Sequence, residues 1–207
     1  MITKRKGETS YRETAFGIIP RSKLVPLEIE GTKRAWDFVL RQRKKGKIPI
    51  TAAFLQKAHH VGFGWIFPEM GGKFRTIEVT VSKHIPPRAY HVPQLMKDFA
   101  EDMKTRLKHL PHLYHILFLE ELLDLLAWTH HRFLWIHPFA DYNGRIGRLL
   151  INMILLNLDL PPIELKVETK SGRAKYVQAL QKADEGYYDA LKQLILAAIE
   201  EAVRSLS

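Results

Sequence analysis

Cysteine is absent from the 207 residues. The chain therefore has no disulfide, no thiolate zinc site and no cysteine nucleophile, and the absence fits a cytoplasmic location. Gly (12) and Pro (11) are not enriched, which argues against a fibrous or largely disordered chain. Long apolar runs are also missing: stretches 116–119 and 149–158 are too short or interrupted for a bilayer, which needs about 20 apolar residues. The polar start, MITKRKGETS, does not have the pattern of a secretory signal, so we expect no membrane association.

Acidic residues are fewer than basic ones, 22 against 32, which gives a net charge of +10. Such a balance fits nucleic acid, an anionic membrane, an acidic partner or simply a soluble basic surface. The densest basic run, residues 41–47, follows an apolar helical pattern and contains Gly46, so we interpret it as a helix C-terminus with favourable dipole interactions. No zinc-finger, RNP or repeat pattern supports nucleic-acid binding, which we do not expect.

The length fits one domain with its own core. We divide it into an N-terminal arm and helix, residues 1–50, and a main helical domain, residues 51–207. Pro20 and Pro26 discourage a continuous helix in residues 1–25. Periodicity and capping signals predict helices over 30–43, 51–60 (with Thr51 as N-cap), 92–107, most of 111–136, 146–158, 173–184 and 188–206. The 111–136 helix has apolar residues on several faces and should be buried at the centre.

One stretch departs from the helical pattern. Gly71-Gly72 signals a turn, and residues 74–81 then alternate with period two, which places Ile77, Val79 and Val81 on one face. Alternation rich in β-branched residues predicts a strand. A single short ribbon must lie against the helices, because an isolated hairpin is marginal in water.

Residues 137–148 combine polar groups between two apolar helical patterns. His137 can act as a general base near neutral pH, and Asp141 is a hard oxygen ligand suited to Mg²⁺. Asn143-Gly144 can turn backbone N–H groups inward as an anion nest, and the start of the next helix adds further donors. Two further residues, Arg145 and Arg148, are fork-shaped phosphate binders. The set matches what phosphoryl-type transfer requires.

The residues alone leave a plainer interpretation open. His137-Pro138 can simply end a helix, residues 141–144 can form an ordinary turn, and the arginines can form a solvated face. Elsewhere, His109, His112 and His115 lie three apart but are interrupted by Pro111. We interpret these and the scattered His59 and His60 as surface or capping residues, and His130 and His131 as support for the site.

The segment HPFADYNGRIGR, from His137 to Arg148, resembles the Fic-family motif H-x-F-x-(D/E)-G-N-G-R-x-x-R. Every fixed position matches except Tyr142, where the family has glycine. The flanks HHRF (130–133), LL (149–150) and PP (161–162) are also similar to the family. So are GKFR (72–75) with the predicted strand and IPP (85–87), and Tyr176 with ADEG (183–186). A twelve-residue motif with its flanks in order is highly specific.

The resemblance implies an all-α Fic-domain helical fold with a small β-hairpin flap beside the active site. It also implies a protein adenylyltransferase that moves AMP from Mg-ATP to a Ser, Thr or Tyr hydroxyl of a target protein. His137 would be the catalytic base and Asp141 the metal ligand. The motif positions implied to bind ATP phosphates are Tyr142, Asn143, Gly144, Arg145, Ile146, Gly147 and Arg148. Positions implied to contact the nucleoside are Tyr176 and Asp184. Flap positions implied to hold the target are Arg75, Thr76, Ile77, Glu78 and Val79.

Many Fic proteins carry an inhibitory helix with the pattern (S/T)-x-x-x-E-(G/N). Glu30-Gly31 is the best candidate here, in a helix near 28–43, although Pro26 stands where Ser or Thr is expected. We hypothesise that Glu30 reaches Arg148. The missing Ser or Thr leaves open an inhibitory antitoxin-like partner chain or self-association. Tyr142 leaves open a different phosphoryl-type transfer on the same scaffold or a catalytically degenerate nucleotide-binding module, because a positive φ at tyrosine costs about 1–2 kcal/mol.

Overall fold

The computed structural model describes residues 10–81, 84–167 and 169–206. Two antiparallel strands come first, β1 (Tyr11–Thr14) and β2 (Gly17–Pro20). The α-helices are α1 (Arg21–Arg43), α2 (Ala52–His59), α3 (Val92–His109), α4 (Phe118–Ile136), α5 (Asn143–Asn157), α6 (Lys170–Asp184) and α7 (Asp189–Arg204). A π-helical turn (His60–Gly64) follows α2, and a 3-10 turn (Ala89–His91) precedes α3. Within these residues no helix is both long and apolar enough to cross a membrane.

Helix α4 lies at the centre of the molecule, as its sequence predicts. It packs against α3, α5, α6 and α7, and eleven of its residues are buried. It begins at Phe118 rather than near Pro111, and the residues before it are largely exposed. Helix α5 is the second apolar helix, with nine buried residues. The all-α class with a small hairpin is therefore confirmed, although this hairpin lies in residues 11–20 and not in the predicted flap.

The N-terminal segment, residues 10–43, forms a hairpin and a helix that begins at Arg21, well before the predicted start at residue 30. Its hairpin turns at Ala15-Phe16, and the tip is tied down where the Ala15 N–H donates to the Ile66 carbonyl at 2.8 Å. Helix α1 then begins directly after Pro20 and continues through Pro26. Proline is tolerated there because tertiary packing on the rest of the chain compensates for one missing helical N–H.

Helix α1 crosses the π-helical turn at a pair of glycines. A Cβ built on Gly31 would lie 2.4 Å from the Gly62 carbonyl oxygen, so any larger side chain would push the two segments apart. This contact brings one face of α1 against Phe63. The buried positions of that face are Leu24, Glu28, Gly31, Ala35 and Val39. A carboxylate therefore occupies a stripe of otherwise small and apolar residues.

The predicted capping signals are confirmed at two helices. The Thr51 hydroxyl accepts the Phe54 N–H at 3.1 Å and caps α2. Helix α1 ends at Arg43 with basic residues in its last turn, and Gly46 follows with φ 137°. The Arg43 guanidinium also donates to the Leu156 carbonyl at 2.9 Å and pairs with Asp159, which fastens the end of α1 to the end of α5.

Candidate active site

The motif turn, residues 137–142, joins the C-terminus of α4 to the N-terminus of α5. His137 ends α4 in the left-handed region, with φ 50° and ψ 61°. Helix α5 begins at Asn143, which is earlier than the predicted Ile146, so the first-turn N–H groups of α5 belong to motif residues. Helix N-termini favour anions because these N–H groups lack helical partners and carry the positive end of the dipole.

Asn143 holds the shape of the turn. Its side-chain oxygen accepts the Phe139 N–H at 2.9 Å, and its amide donates to the Phe139 carbonyl at 2.8 Å. Its exposed fraction is 1%, and Phe139 is fully buried with its ring stacked on His59 at 4.0 Å. Phe139 therefore anchors the turn in the core. The Asn143 side chain is directed to the main chain, so any contact with an anion falls to its N–H.

His137 is half-buried, and its surroundings favour the neutral imidazole. Burial lowers its pKa to about 4, only partly opposed by a hydrogen bond to the Leu134 carbonyl, and the positive charge of Arg75 lowers it further. That hydrogen bond joins Nδ1 to the Leu134 oxygen at 3.3 Å. A carbonyl can only accept, so Nδ1 carries the hydrogen and Nε2 keeps its lone pair. A neutral imidazole with a free Nε2 is the form a general base requires.

Asp141 is held from three directions. Its Oδ1 accepts the N–H of Tyr142 at 2.7 Å, and its Oδ2 accepts from the Arg12 guanidinium at 2.5 Å. The Arg12 side chain is 38% exposed, so this ion pair is accessible to solvent and salt. His59 donates through Nε2 to the Asp141 carbonyl at 3.2 Å. Strand β1 therefore places a cation on the carboxylate that the motif assigns to a metal ion.

Tyr142, the residue that departs from the motif, adopts φ 62° and ψ 12°. The strain expected for a tyrosine there, about 1–2 kcal/mol, is real. Its ring stacks on Phe63 at 4.0 Å, and its hydroxyl donates to Glu28 Oε1 at 3.0 Å. Burial raises the pKa of that hydroxyl, so it stays protonated and remains a donor. Together with the burial of the ring, these contacts outweigh the strain, and they direct the ring towards α1.

Arg145 pairs with the buried carboxylate of α1. Its Nη2 lies 3.0 Å from Glu28 Oε2, and its guanidinium lies 5.2 Å from the centre of the Tyr142 ring. Glu28 also accepts from Arg21 at 2.7 Å, so three donors surround one carboxylate. A buried carboxylate requires such partners. The pair holds the first motif arginine against α1.

Arg148 lies one turn further along α5 and lines a cavity of about 230 Å³ together with Arg145. The cavity is also lined by Thr32 and Trp36 of α1 and by residues 163–165. A Cβ on Gly144 would lie 3.5 Å from the Arg148 Nη1, so the guanidinium reaches back under the start of α5. The other two motif positions are packing residues: Ile146 is buried, and a Cβ on Gly147 would approach the His130 ring at 3.2 Å.

Tyr176 and Asp184 of α6 are both held by histidines of α4. The Tyr176 hydroxyl lies 2.6 Å from His130 Nε2, and Asp184 Oδ1 lies 2.9 Å from His131 Nε2. His130 is fully buried, and burial lowers its pKa to about 3, so it is neutral. Both contacts are consistent with the supporting role expected for His130 and His131. Burial raises the pKa of Tyr176, and the nearby guanidinium of Arg148 opposes part of that rise. Tyr176 therefore lies close to the second motif arginine.

The flap segment, residues 73–91, does not contain the predicted strand. Among the described residues, the pairing found there is a bridge between Val81 and His84. Instead the Arg75 N–H donates to the Pro138 carbonyl at 2.8 Å, and its buried guanidinium donates to the carbonyls of residues 77, 87, 136 and 137. The hydrogen bonds of Arg75 thus join the segment to the motif turn and the end of α4, and not to a neighbouring strand. Thr76, Ile77 and Glu78 are exposed and Val79 is half-buried.

The expected contact between Glu30 and Arg148 is not formed. Glu30 is half-buried, with its side chain 45% exposed, and it pairs with Arg34 of the same helix at 3.0 Å. The physical reason is helical period: two residues correspond to about 200° of rotation, so Glu28 faces the core and Glu30 faces away. The carboxylate that reaches a motif arginine is therefore Glu28, and the arginine is Arg145.

Sequence reasoning missed three residues at this site. Glu28 had a signal, a carboxylate within an apolar helical stripe. His59 was interpreted as a surface or capping residue, and that prediction was wrong, because it is fully buried and accepts the Gly72 N–H at 2.9 Å. Its weaker signal was the helix face that it shares with Leu55. Burial lowers the pKa of His59 to about 4. Arg12 had none, because its partner lies 129 residues away.

Within the part of the chain that the structure describes, no group of three or more His, Asp or Glu side chains could hold a metal ion by itself. The site nevertheless fits Mg²⁺, which is commonly bound by one or two carboxylates together with substrate phosphates. Asp141 supplies such a carboxylate beside the N-terminus of α5.

Comparison with known proteins agrees with this geometry, since the pattern that defines the Fic/DOC family matches residues 49–155. The chain belongs to the Fic/DOC family. It is 34% identical over 140 residues to the protein adenylyltransferase Fic of Drosophila erecta. The aligned region covers 68% of this chain and 26% of that protein. The chain thus spans about a quarter of the length of this relative.

Solved Fic structures share the fold. Fic-1 (residues 134–508) from C. elegans superposes with a TM-score of 0.69 at 24% identity, covering 86% of this chain and 49% of that one. BepC from Bartonella tribocorum, with bound AMPPNP, superposes with a TM-score of 0.66 at 20% identity, covering 96% of this chain and 94% of that one.

Proposed function

We propose that this protein transfers AMP from Mg-ATP to a Ser, Thr or Tyr hydroxyl of a target protein. The observation that carries the proposal is the motif turn itself. A neutral histidine with a free Nε2 stands at one end, and an anion-binding helix N-terminus with two arginines stands at the other. The relative named as a protein adenylyltransferase supports the same activity, and the AMPPNP bound to BepC supports ATP as the nucleotide.

The reaction divides the motif residues by role. His137 Nε2 takes the proton of the target hydroxyl, and the hydroxyl oxygen forms a bond to the α-phosphorus of ATP. The bond between the α-phosphorus and the bridging oxygen to the β-phosphate breaks, and pyrophosphate leaves. The first-turn N–H groups of α5, with Arg145 and Arg148, neutralise the phosphate charge that develops. Asp141 would hold Mg²⁺, which polarises phosphate oxygens when bound.

The same proposal assigns outer contacts to two further regions. Tyr176 and Asp184 would contact the nucleoside, with His130 and His131 fixing their positions. Residues 76–79 of the flap segment would hold the target in extended conformation, since Thr76, Ile77 and Glu78 are exposed while Arg75 anchors the segment to the turn. Edge pairing of an extended peptide is a common mode of capture.

A restrained resting state forms part of the proposal. Arg12 occupies the carboxylate intended for Mg²⁺, and Glu28 occupies the arginine intended for phosphate. Mg-ATP offers both a cation for Asp141 and anions for Arg145, so it competes with both ion pairs. Tyr142 does not argue for a degenerate module, because its ring is directed into the contact with Phe63 and its N–H stays in the turn.

The test uses ATP labelled separately at the α- and γ-phosphates, with purified protein alone and with a cell lysate. We expect protein-bound label from the α-position and none with His137→Ala. Label only from the γ-position would replace AMP transfer by phosphate transfer on the same scaffold. No label with either the natural protein or Glu28→Gln would contradict transfer altogether.

A further inference from the structure

A groove away from the motif turn combines an apolar floor with unpaired positive charge. Its volume is about 630 Å³, and none of the motif residues lines it. One wall is a face of α3, and the other is formed by residues 47–53. The α3 wall consists of residues spaced three and four apart: Lys97, Ala100, Glu101, Lys104 and Leu107.

The geometry of the groove follows from this spacing. Residues 97 and 107 are ten positions apart on one helix, which corresponds to a length of about 15 Å. The small side chains of Ala53 and Ala100 leave the middle open. A groove of this length accommodates about four to five residues of an extended peptide.

Hydrogen bonds hold the opposite wall of the groove in place. The Ile48 N–H donates to Asn157 at 2.8 Å, and the Asn157 amide donates back to the Ile48 carbonyl at 2.9 Å. The wall continues into the start of α2, which Thr51 caps, and the positive end of that helix dipole adds to the local potential. The groove is therefore built on two anchored elements.

Charge at the rim defines the partner. Three ammonium groups, on Lys47, Lys97 and Lys104, surround the groove with one carboxylate, on Glu101. The lysine ion pairs among the described residues involve Lys73, Lys166 and Lys192, so the three rim lysines lack a carboxylate partner. The basic run 41–47, which the active site does not use, leads directly into this rim.

We propose that this groove docks an acidic segment of a partner protein that carries aliphatic side chains. The three lysines would pair with its carboxylates, and an aliphatic side chain would lie over Ala53 and Ala100. A protein segment is favoured over single-stranded nucleic acid because no aromatic residue lines the groove for base stacking. In the context of the proposed transferase, which this inference extends, the groove would help to select acidic targets at a distance from the chemistry.

The experiment measures fluorescence anisotropy of a labelled Asp-Asp-Leu-Leu-Asp-Asp peptide with the full chain and no nucleotide. We expect saturable binding that weakens about tenfold or more in the double variant Lys97→Glu/Lys104→Glu. The matched control is Lys175→Glu/Lys182→Glu, with the same spacing and charge change on exposed positions of α6, and it should bind almost normally. Ala53→Trp, which fills the groove without changing charge, should also weaken binding.

Three outcomes would overturn the proposal. Equal loss in the groove and control variants would mean attraction to overall charge only. Equal binding of a peptide with serines in place of the leucines would mean that the apolar floor is unused. Tighter, Lys97- and Lys104-dependent binding of a thymidine oligonucleotide would make this a nucleic-acid surface. Because the assay contains no ATP, its failure would leave the proposed AMP transfer intact, and the labelled-ATP test stands apart from it.

Discussion

Two of the regions that contact the motif, residues 137–148, do so in different ways. The N-terminal segment forms ion pairs with charged side chains of the motif: Arg12 pairs with Asp141, and Glu28 pairs with Arg145. The flap segment reaches its main chain, since Arg75 bonds to the carbonyls of residues 136, 137 and 138. One region neutralises the groups that a nucleotide would use, and the other leaves them available.

The difference separates what can be displaced from what cannot. Side-chain ion pairs can be exchanged for a ligand that offers the same charges, so contacts of the N-terminal segment can be released. Main-chain hydrogen bonds fix the shape of the turn, and losing them leaves buried carbonyls without donors. We therefore expect changes in the first region to alter ligand affinity and changes in the second to alter stability.

The largest expected effect is a loss of stability at low pH. His59, His130 and His137 have folded pKa values lowered by burial to about 4, 3 and 4, whereas an unfolded histidine titrates near 6.5. As the pH falls below about 6.5, the unfolded chain binds protons first, so the free energy of unfolding decreases, by up to roughly 1.4 kcal/mol per pH unit for each histidine. The decrease continues to about pH 4 for His59 and His137 and to about pH 3 for His130, and well above pH 6.5 these groups have no effect.

Urea unfolding measured over this pH range checks the prediction. In the variant His59→Gln, the free energy of unfolding should fall less steeply with decreasing pH, because one of the three titrating histidines is gone. An unchanged slope would mean that His59 is not held neutral by the fold.

The flap side is tested by Arg75→Gln. The substitution removes most donors from a set of buried and partly buried carbonyls, and we expect a loss of about 3 kcal/mol in the free energy of unfolding. The neighbouring exposed substitution Thr76→Ala serves as the control and should cost little. Equal stability of the two variants by chemical denaturation would contradict the anchoring role of Arg75.

Tyr142→Gly tests the balance between backbone strain and ring packing at the position that departs from the motif. Restoring glycine relieves the positive φ but removes the ring stacked on Phe63, so we expect a net loss of about 2 kcal/mol. Tyr142→Phe keeps the ring and loses only the hydrogen bond to Glu28, with an expected loss of about 1 kcal/mol. Thermal unfolding compares them, and a more stable glycine variant would show that strain exceeds packing at this position.

The smallest stability effect belongs to Arg12→Gln. Its ion pair is solvent-accessible, so the free energy of unfolding should change by about 0.5 kcal/mol or less. Equilibrium titration with Mn²⁺ in the presence of a non-hydrolysable ATP analogue should nevertheless show a several-fold tighter metal affinity, since Asp141 no longer has an internal cation. Unchanged metal affinity would show that Arg12 does not compete for this carboxylate.

The sequence was sufficient for the features that are local. Apolar periodicity predicted α4 as the central helix, and the polar residues between two apolar patterns predicted the turn at His137. It was insufficient where partners are distant in the chain, as for Arg12 with Asp141 and Glu28 with Arg145. The flap segment shows a second cause: alternation of residues 74–81 predicts a strand, but the hydrogen bonds of Arg75 to the turn take the place of sheet pairing.

Parallel measurement of AMP transfer by Glu28→Gln and Glu30→Gln tests the central claim most directly. Both substitutions remove one negative charge from the same helix, but only Glu28 contacts Arg145. We predict that Glu28→Gln increases incorporation of α-label, that Glu30→Gln behaves like the natural protein, and that adding His137→Ala abolishes both. No increase with Glu28→Gln, or an increase with Glu30→Gln alone, would contradict a transfer centre restrained through Arg145.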